Sequence, residues 1–229
     1  MLKADFHLHT KYSMDCKMTL EQIIARCQKM GINCIAVTDH GTAEGGLEMQ
    51  KLAPFKVIVG EEILTPNGEI MGLFLKETIP SNISVEEAVS SIKAQGGLVS
   101  IPHPFDPLRG LKLDKNAIAK LAEQIDLVEV FNARGPFPGP VKKANALALK
   151  YNLPVTAGSD AHYPFEIGYT YIEMPEFNGK DEFLKALRNA AIHKQRAGIL
   201  VYLRTGLARL LKALTRNKSI GPPDKHNHP

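Results

Sequence analysis

Short apolar runs of strand length alternate along the chain with amphipathic helical patterns. This alternation is typical of a parallel sheet or a (β/α) barrel, in which each helix carries the chain back to the start of the next strand. The predicted strands are 2–6, 33–38, 56–60, 70–75, 97–101, 125–131, 153–157 and 169–173.

Two of the predicted helices have clear boundary signals. Thr19 and Ser84 are suitable N-caps, and Glu87 completes a capping-box pattern with Ser84. Gly31 and Gly96 end these two helices, because glycine readily takes the left-handed conformation found after a helix. The other predicted helices cover roughly 43–51, 114–123, 139–150 and 180–191.

The chain of 229 residues, 44% of them apolar, can bury one substantial core, so we predict a single catalytic domain over 1–193. This segment has 20 basic and 23 acidic side chains, so the excess of positive charge in the whole chain belongs to the C-terminal part. We predict a basic amphipathic helix over 194–218, and we expect 219–229 to be disordered because it is polar and rich in Pro and Gly.

The basic helix has more than one possible role. Its apolar stripe predicts that it packs against the catalytic domain, while its charge would also suit an anionic membrane surface or a nucleic acid, through 199–216. No obligate protein partner is indicated. No apolar run reaches the length of about 18 residues that a spanning helix needs, and the three cysteines lack CxxC spacing, so we expect a cytoplasmic protein.

Histidines and carboxylates fall directly after the apolar runs. The carboxyl ends of parallel strands converge on one face, so we expect these side chains to share one pocket. A mixed shell of imidazole and carboxylate suits zinc, manganese or iron. The residues with this placement are His7, His9, Asp39, His40, Glu62, His103, Asp160 and His162.

Spacing also favours a site with more than one ion. His7 and His9 are two positions apart at a strand end, so their side chains point the same way and could hold one ion. Glu62 has two oxygens and could bridge neighbouring ions. Glu61 is expected to face solvent or to support the site, and Glu129 only to position Asn132 or a bound water.

These residues lie in motifs that resemble the polymerase and histidinol phosphatase (PHP) superfamily, over about residues 1 to 175. Several motifs in the right order are far more specific than any one of them. They are DFHLHT at 5–10, SMD at 13–15, TDHG at 38–41, GEEI at 60–63, PHP at 102–104 and GSDAH at 158–162.

The resemblance implies a distorted (β/α)7 barrel that binds two or three divalent transition-metal ions, of Zn, Mn or Fe. Asp39 would support the site without binding an ion. Glu69 stands where relatives often carry a ligating histidine, and a carboxylate there would make the second ion site harder and more negative. The implied ligands are His7, His9, Glu62 and Asp160 for the first ion, Glu62, His103 and Glu69 for the second, and Asp15, His40 and His162 for the third.

The function that the resemblance implies is phosphate-ester hydrolysis by a metal-bridging hydroxide. The substrate would be a small phosphorylated metabolite, a nucleotide or a short oligonucleotide. Arg134 and Asn132 are the first candidates for phosphate binding, and Arg109 is the second. Two alternatives stay open: a metal-dependent amidohydrolase or deaminase, and a metal-binding accessory protein without catalytic activity.

Overall fold

A computed structural model describes residues 1–108, 113 and 115–198. Strands and helices alternate along most of this part of the chain. The elements are β1 (Leu2–Leu8), α1 (Leu20–Met30), β2 (Cys34–Val37), α2 (Glu44–Leu52), β3 (Lys56–Thr65), β4 (Gly68–Leu73), α3 (Val85–Ala94), β5 (Leu98–Ile101), α4 (Lys115–Leu121), β6 (Leu127–Asn132), α5 (Pro138–Tyr151), β7 (Val155–Gly158), the 3₁₀ helix η1 (Pro164–Glu166), β8 (Tyr171–Met174), α6 (Gly179–Leu187) and β9 (Ala191–His193).

The strands form one mixed sheet in the order β7-β6-β5-β4-β3-β2-β1-β8-β9. The pairs β1/β2, β2/β3, β5/β6 and β6/β7 are parallel, whereas β3/β4, β4/β5, β1/β8 and β8/β9 are antiparallel. The segment after β7 returns to β1, where the backbone N–H of Asp160 donates to His7 (2.8 Å) and that of His9 donates to Ala161 (3.0 Å). The first seven strands therefore form a nearly closed barrel, which confirms the predicted fold class.

Both capping predictions are confirmed. The hydroxyl of Thr19 accepts from the backbone N–H of Gln22, whose side chain accepts from Thr19 in return. Ser84 and Glu87 make the same reciprocal pair at the start of α3. These bonds satisfy N–H groups that have no partner within the helix.

Two predicted element boundaries were wrong. β3 continues to Thr65 and forms an antiparallel hairpin with β4, so Glu61 and Glu62 lie within a strand and do not follow one. Helix α6 ends at Leu187, and the residues predicted as its last turn lead into β9, which pairs with β8. In both places pairing with a distant strand overrides the local sequence preference.

Two strand irregularities set the directions of the site residues. The register between β1 and β2 shifts between Asp5 and Leu8, and the register between β6 and β7 shifts between Glu129 and Phe131. Such bulges re-aim side chains. Phe6 consequently packs among apolar residues inside the barrel while His7, the next residue, contacts carboxylates at the carboxyl end of the strands.

An apolar layer fills the amino-terminal part of the barrel. Phe183 of α6 is fully buried there, and its ring meets that of Phe6 edge-on with centroids 5.1 Å apart.

Residues Met1–Arg196 form one compact unit. The predicted boundary at 193 stays a prediction, and most of the predicted helix 194–218, the tail 219–229 and Arg109 lie outside the described residues. In the part of the chain that the structure describes, no helix combines the length and the apolar character needed to cross a bilayer.

Candidate metal centre

All nine predicted ligands meet at the carboxyl end of the barrel strands. Their candidate ligand atoms fall into four overlapping groups, and within each group these atoms lie within 4.8 Å of one another. The groups are His9, Asp15, His40 and His162; His7, Glu62 and His103; His7, His9 and Asp160; and His40, Glu62 and Glu69.

Glu62 lies at the centre of these groups and is fully buried on β3. Its Oε1 is 2.7 Å from Nε2 of His103, whereas its Oε2 is 3.3 Å from Nε2 of His7 and 3.4 Å from Nδ1 of His40. The two oxygens thus face different histidines. This is the geometry that a bridging carboxylate needs.

Two of the predicted ligands have strained backbone conformations. His103 has φ of 27° and Asp160 has φ of 53°, in the left-handed region that residues with a Cβ rarely adopt. Such strain persists only where the surrounding structure enforces it, and it is concentrated at functional sites. In Asp160 it directs the carboxylate toward His9, whose Nε2 is 3.2 Å from Oδ1.

Asp15 marks the open side of the centre, with 43% of its side chain exposed. Its Oδ2 lies 3.1 Å from Nε2 of His162 and 3.7 Å from Nε2 of His40. The hydroxyl of Ser13 donates to Oδ1 at 2.9 Å and fixes the direction of the carboxylate. The two imidazoles and the Ser13 hydroxyl hold the pKa of Asp15 below its usual range although burial acts the other way.

Glu129 orients His7 from behind. Burial alone would raise the pKa of Glu129, but the nearby His7 lowers it below the ordinary value, so the carboxylate is ionised and accepts from Nδ1–H of His7 at 3.1 Å. Nε2 of His7 is then left to face Glu62. A carboxylate behind a histidine is the usual arrangement that fixes the tautomer of a metal ligand.

Asp39 is fully buried beside the site and bonds to Thr10, and its predicted supporting role stays a prediction. Its Oδ1 accepts from the backbone N–H of Thr10 at 2.5 Å and its Oδ2 accepts from the hydroxyl of Thr10 at 2.7 Å. These bonds tie the loop after β1 to the loop that carries His40. Burial raises the pKa of Asp39 to about 6.

The side chain of Asn132 lies between two carboxylates of the site. Its amide nitrogen donates to Glu129 at 3.1 Å and to Asp160 at 3.2 Å, and its carbonyl oxygen accepts from the backbone N–H of Arg134. Both amide hydrogens therefore face carboxylates of the site, where a phosphate oxygen would be repelled. Asn132 contacts both carboxylates, and its predicted binding of phosphate stays a prediction.

Arg134 lies at the edge of the centre with 12% of its side chain exposed. Its Nε forms an ion pair with Oε1 of Glu166 at 3.2 Å, and its Nη1 is 2.9 Å from Nδ1 of His162. The position at the edge is compatible with phosphate binding. Glu166 was missed by the sequence analysis, although its place four residues after His162 in a turn with Pro164 was a usable signal.

The electrostatics of the interior depend on the balance of imidazoles and carboxylates. Burial works to raise the pKa of Glu62, but His40, His7 and His103 hold it well below its ordinary value. Burial works to lower the pKa of His7, but Glu129 and Glu62 raise it to about 10. Nε2 of His7 thus attracts a proton, which a cation that binds there would displace.

These residues fit divalent transition-metal ions. His9 is fully buried, and neither of its ring nitrogens has a hydrogen-bond partner among the residues that the structure describes. Burial and the neighbouring imidazoles lower the pKa of His9 well below its ordinary value, so the ring is neutral and can act as a ligand. A buried polar group without a partner is costly, and a coordinated ion would supply the partner.

Comparison with known proteins agrees with this geometry. Residues 139–192 match the family model PHP_C, described as PHP-associated. The fold resembles that of a two-domain protein from Bacteroides vulgatus that contains a predicted PHP-like metal-dependent phosphoesterase. The TM-score is 0.66 and the sequence identity is 22%, and the match covers 84% of this chain and 65% of that chain. The chain thus matches a PHP-associated family model over 139–192 and shares its fold with a PHP-like protein.

Two further proteins are similar to this chain. The protein MJ1587 of Methanocaldococcus jannaschii is 43% identical over 145 residues, which are 58% of this chain and 82% of that protein. An amidohydrolase of Chromobacterium violaceum, solved with bound sulfate and no metal, has a TM-score of 0.59 and 18% identity over 71% of this chain and 88% of that chain.

Within the candidate centre, Glu69 occupies the position where the resemblance described above leads one to expect a histidine. Its Oε2 is 3.6 Å from Nε2 of His103, and the residue also groups with His40 and Glu62. A carboxylate here adds negative charge beside Glu62, so this part of the centre favours a harder cation than a third imidazole would.

Proposed function

We propose that this chain is a metal-dependent phosphoesterase that hydrolyses a phosphomonoester or the phosphate of a nucleotide or short oligonucleotide. The observation that carries the proposal is the position of Glu62, whose two oxygens face different histidines in a buried centre of nine ligand-type side chains. When bound, divalent ions would lower the pKa of a water and neutralise charge on the phosphoryl oxygens.

The chain's own residues have separate tasks in this proposal. The interior ligands His7, His9, Glu62 and Asp160 would hold the first ion, and Glu129 keeps His7 in the tautomer that leaves Nε2 available. Arg134 at the rim would bind phosphoryl oxygens, because a guanidinium matches their geometry with two parallel donors.

The direct test is metal content together with hydrolysis of a generic phosphoester. Protein loaded separately with manganese, zinc or iron should release phosphate from p-nitrophenyl phosphate, and Glu62→Gln should abolish both this activity and the binding of a second ion. Glu176→Gln is the control, because Glu176 is exposed and distant in sequence from every predicted ligand. Protein that takes up none of these ions and hydrolyses no phosphoester would show the proposal to be wrong.

A second candidate is amide hydrolysis or deamination. The Chromobacterium violaceum amidohydrolase has a similar fold, and an activated water can attack carbon as well as phosphorus. Parallel assays of ammonia and phosphate release on aminated and phosphorylated nucleosides distinguish the two candidates. Release of ammonia without phosphate would favour the second.

A further inference from the structure

Glu166 connects two loops of the candidate centre. Its side chain is 2% exposed. Oε2 accepts from the backbone N–H groups of His162 at 2.7 Å and of Tyr163 at 2.8 Å, both in the loop after β7. Oε1 lies 3.2 Å from Nε of Arg134, in the loop after β6.

Two of the contacts that Arg134 makes with described residues bear on this position. Its Nε faces the carboxylate of Glu166, and its Nη1 is 2.9 Å from Nδ1 of His162. The same Nδ1 is 2.9 Å from the carbonyl oxygen of Asp160. A neutral ring nitrogen either donates or accepts, so it serves only one of these two neighbours at a time.

The tautomer of His162 decides which neighbour it serves. When Nε2 is a ligand, the ring hydrogen is on Nδ1 and donates to the Asp160 carbonyl, and Nδ1 then offers Arg134 no lone pair. The contact through Nη1 is therefore replaceable, whereas the charged contact between Nε and Glu166 does not depend on the tautomer.

We propose that Glu166 is a positioning residue for phosphate binding, which holds Arg134 at Nε so that its two Nη groups can turn from His162 toward a phosphoryl group. The proposal rests on the phosphoesterase function proposed above. The negative charge of Glu166 also offsets the repulsion between the guanidinium and nearby cations. The carboxylate of Glu166 thus allows the guanidinium of Arg134 to lie beside a metal centre that would itself be positively charged.

A purely structural role for Glu166 predicts different behaviour. In that case it only accepts the two backbone N–H groups of the turn, and its loss would disturb His162 whether or not Arg134 is present. The variant Glu166→Gln separates the two roles, because glutamine keeps an acceptor for the turn but has no charge to hold the guanidinium.

The experiment measures KM and kcat for p-nitrophenyl phosphate and the inhibition constant of inorganic phosphate, with manganese-loaded full-length protein. We expect Glu166→Gln to weaken phosphate binding and raise KM about tenfold, the order for one hydrogen bond to a charged group, with manganese content unchanged. In an Arg134→Ala background the same substitution should have no further effect. Glu176→Gln is the matched control and should behave as the wild type.

These measurements distinguish failure of the positioning role of Glu166 from failure of the proposed phosphoesterase function. Wild-type protein that hydrolyses no phosphoester overturns the proposed function. An active wild type whose phosphate affinity is unchanged by Glu166→Gln, or a loss that is equal with and without Arg134, overturns the positioning role. If Glu166→Gln does not fold, Glu166→Asp is the second variant, because it keeps the charge but moves the carboxylate away from Arg134 by the length of one methylene. Unchanged phosphate affinity in Glu166→Asp also overturns the positioning role.

A second readout does not use activity. The Nε–H of Arg134 should give a slowly exchanging nitrogen-15 NMR signal, identified by its loss in Arg134→Lys, because it is buried against a carboxylate. Glu166→Gln should accelerate its exchange. A signal that is unprotected in the wild type, or equally protected in the variant, contradicts the contact on which the proposal depends.

Discussion

Gly158 is the position where one added methyl group should disturb the candidate centre most directly. It ends β7 beside β1, and a Cβ there would overlap the Cβ of His7 and lie 2.9 Å from the backbone nitrogen of His7 and 3.0 Å from Oε1 of Glu129. Two of these three atoms belong to the main chain or to a Cβ, so they cannot rotate away. Gly158→Ala must therefore separate the two strands or displace His7.

The cost can be bounded from these contacts. Overpacking of a buried site costs about 1 to 3 kcal/mol, and the upper end applies here because the obstructing atoms are rigid. For a domain of this size about 3 kcal/mol lowers the melting temperature by roughly 6 to 12 °C. The displacement of His7 should also weaken manganese binding, since Nε2 of His7 would leave its position beside Glu62.

Calorimetry and a manganese titration check both effects. The control is Gly139→Ala in α5, because a Cβ at 139 meets no atom within 4 Å apart from its two chain neighbours. Alanine is the better helix former but precedes Pro140 here, so the stability should change by about 1 kcal/mol or less in either direction. A Gly158→Ala protein that melts within 1 °C or so of the wild type, about 0.5 kcal/mol or less, would refute the packing argument.

Three further predictions follow from local interactions. Glu129→Gln should lower metal affinity about 10- to 100-fold, because His7 loses the charged acceptor that fixes its tautomer, and a competitive chelator titration measures this. Burial raises the pKa of Cys27 and Cys34 from 9.0 to about 12, so the folded state keeps thiol protons that the unfolded chain releases. The free energy of unfolding should thus fall as pH rises from 9 toward 12, less so in Cys27→Ala, and urea titrations at several pH values measure the slope. Ser84→Ala should cost about 1 kcal/mol in urea unfolding, because α3 loses its N-cap.

Much of the architecture could be read from local patterns. The alternation of strands and helices, the capping boxes at Thr19 and Ser84, and the histidines at strand ends all depend on residues close together in sequence. The general rule that parallel strand ends converge was then enough to predict that His7, His103 and Asp160 share a pocket.

The tertiary structure decided the features that depend on distant partners. The hairpin of β3 and β4 placed Glu61 within a buried strand, where the sequence analysis expected it to face solvent or to support the site. Asn132 contacts two carboxylates because Glu129 and Asp160 both lie within hydrogen-bond distance of its amide. Residue types and spacing determine which side chains can ligate, but the direction and partner of each polar group depend on packing between segments far apart in the chain.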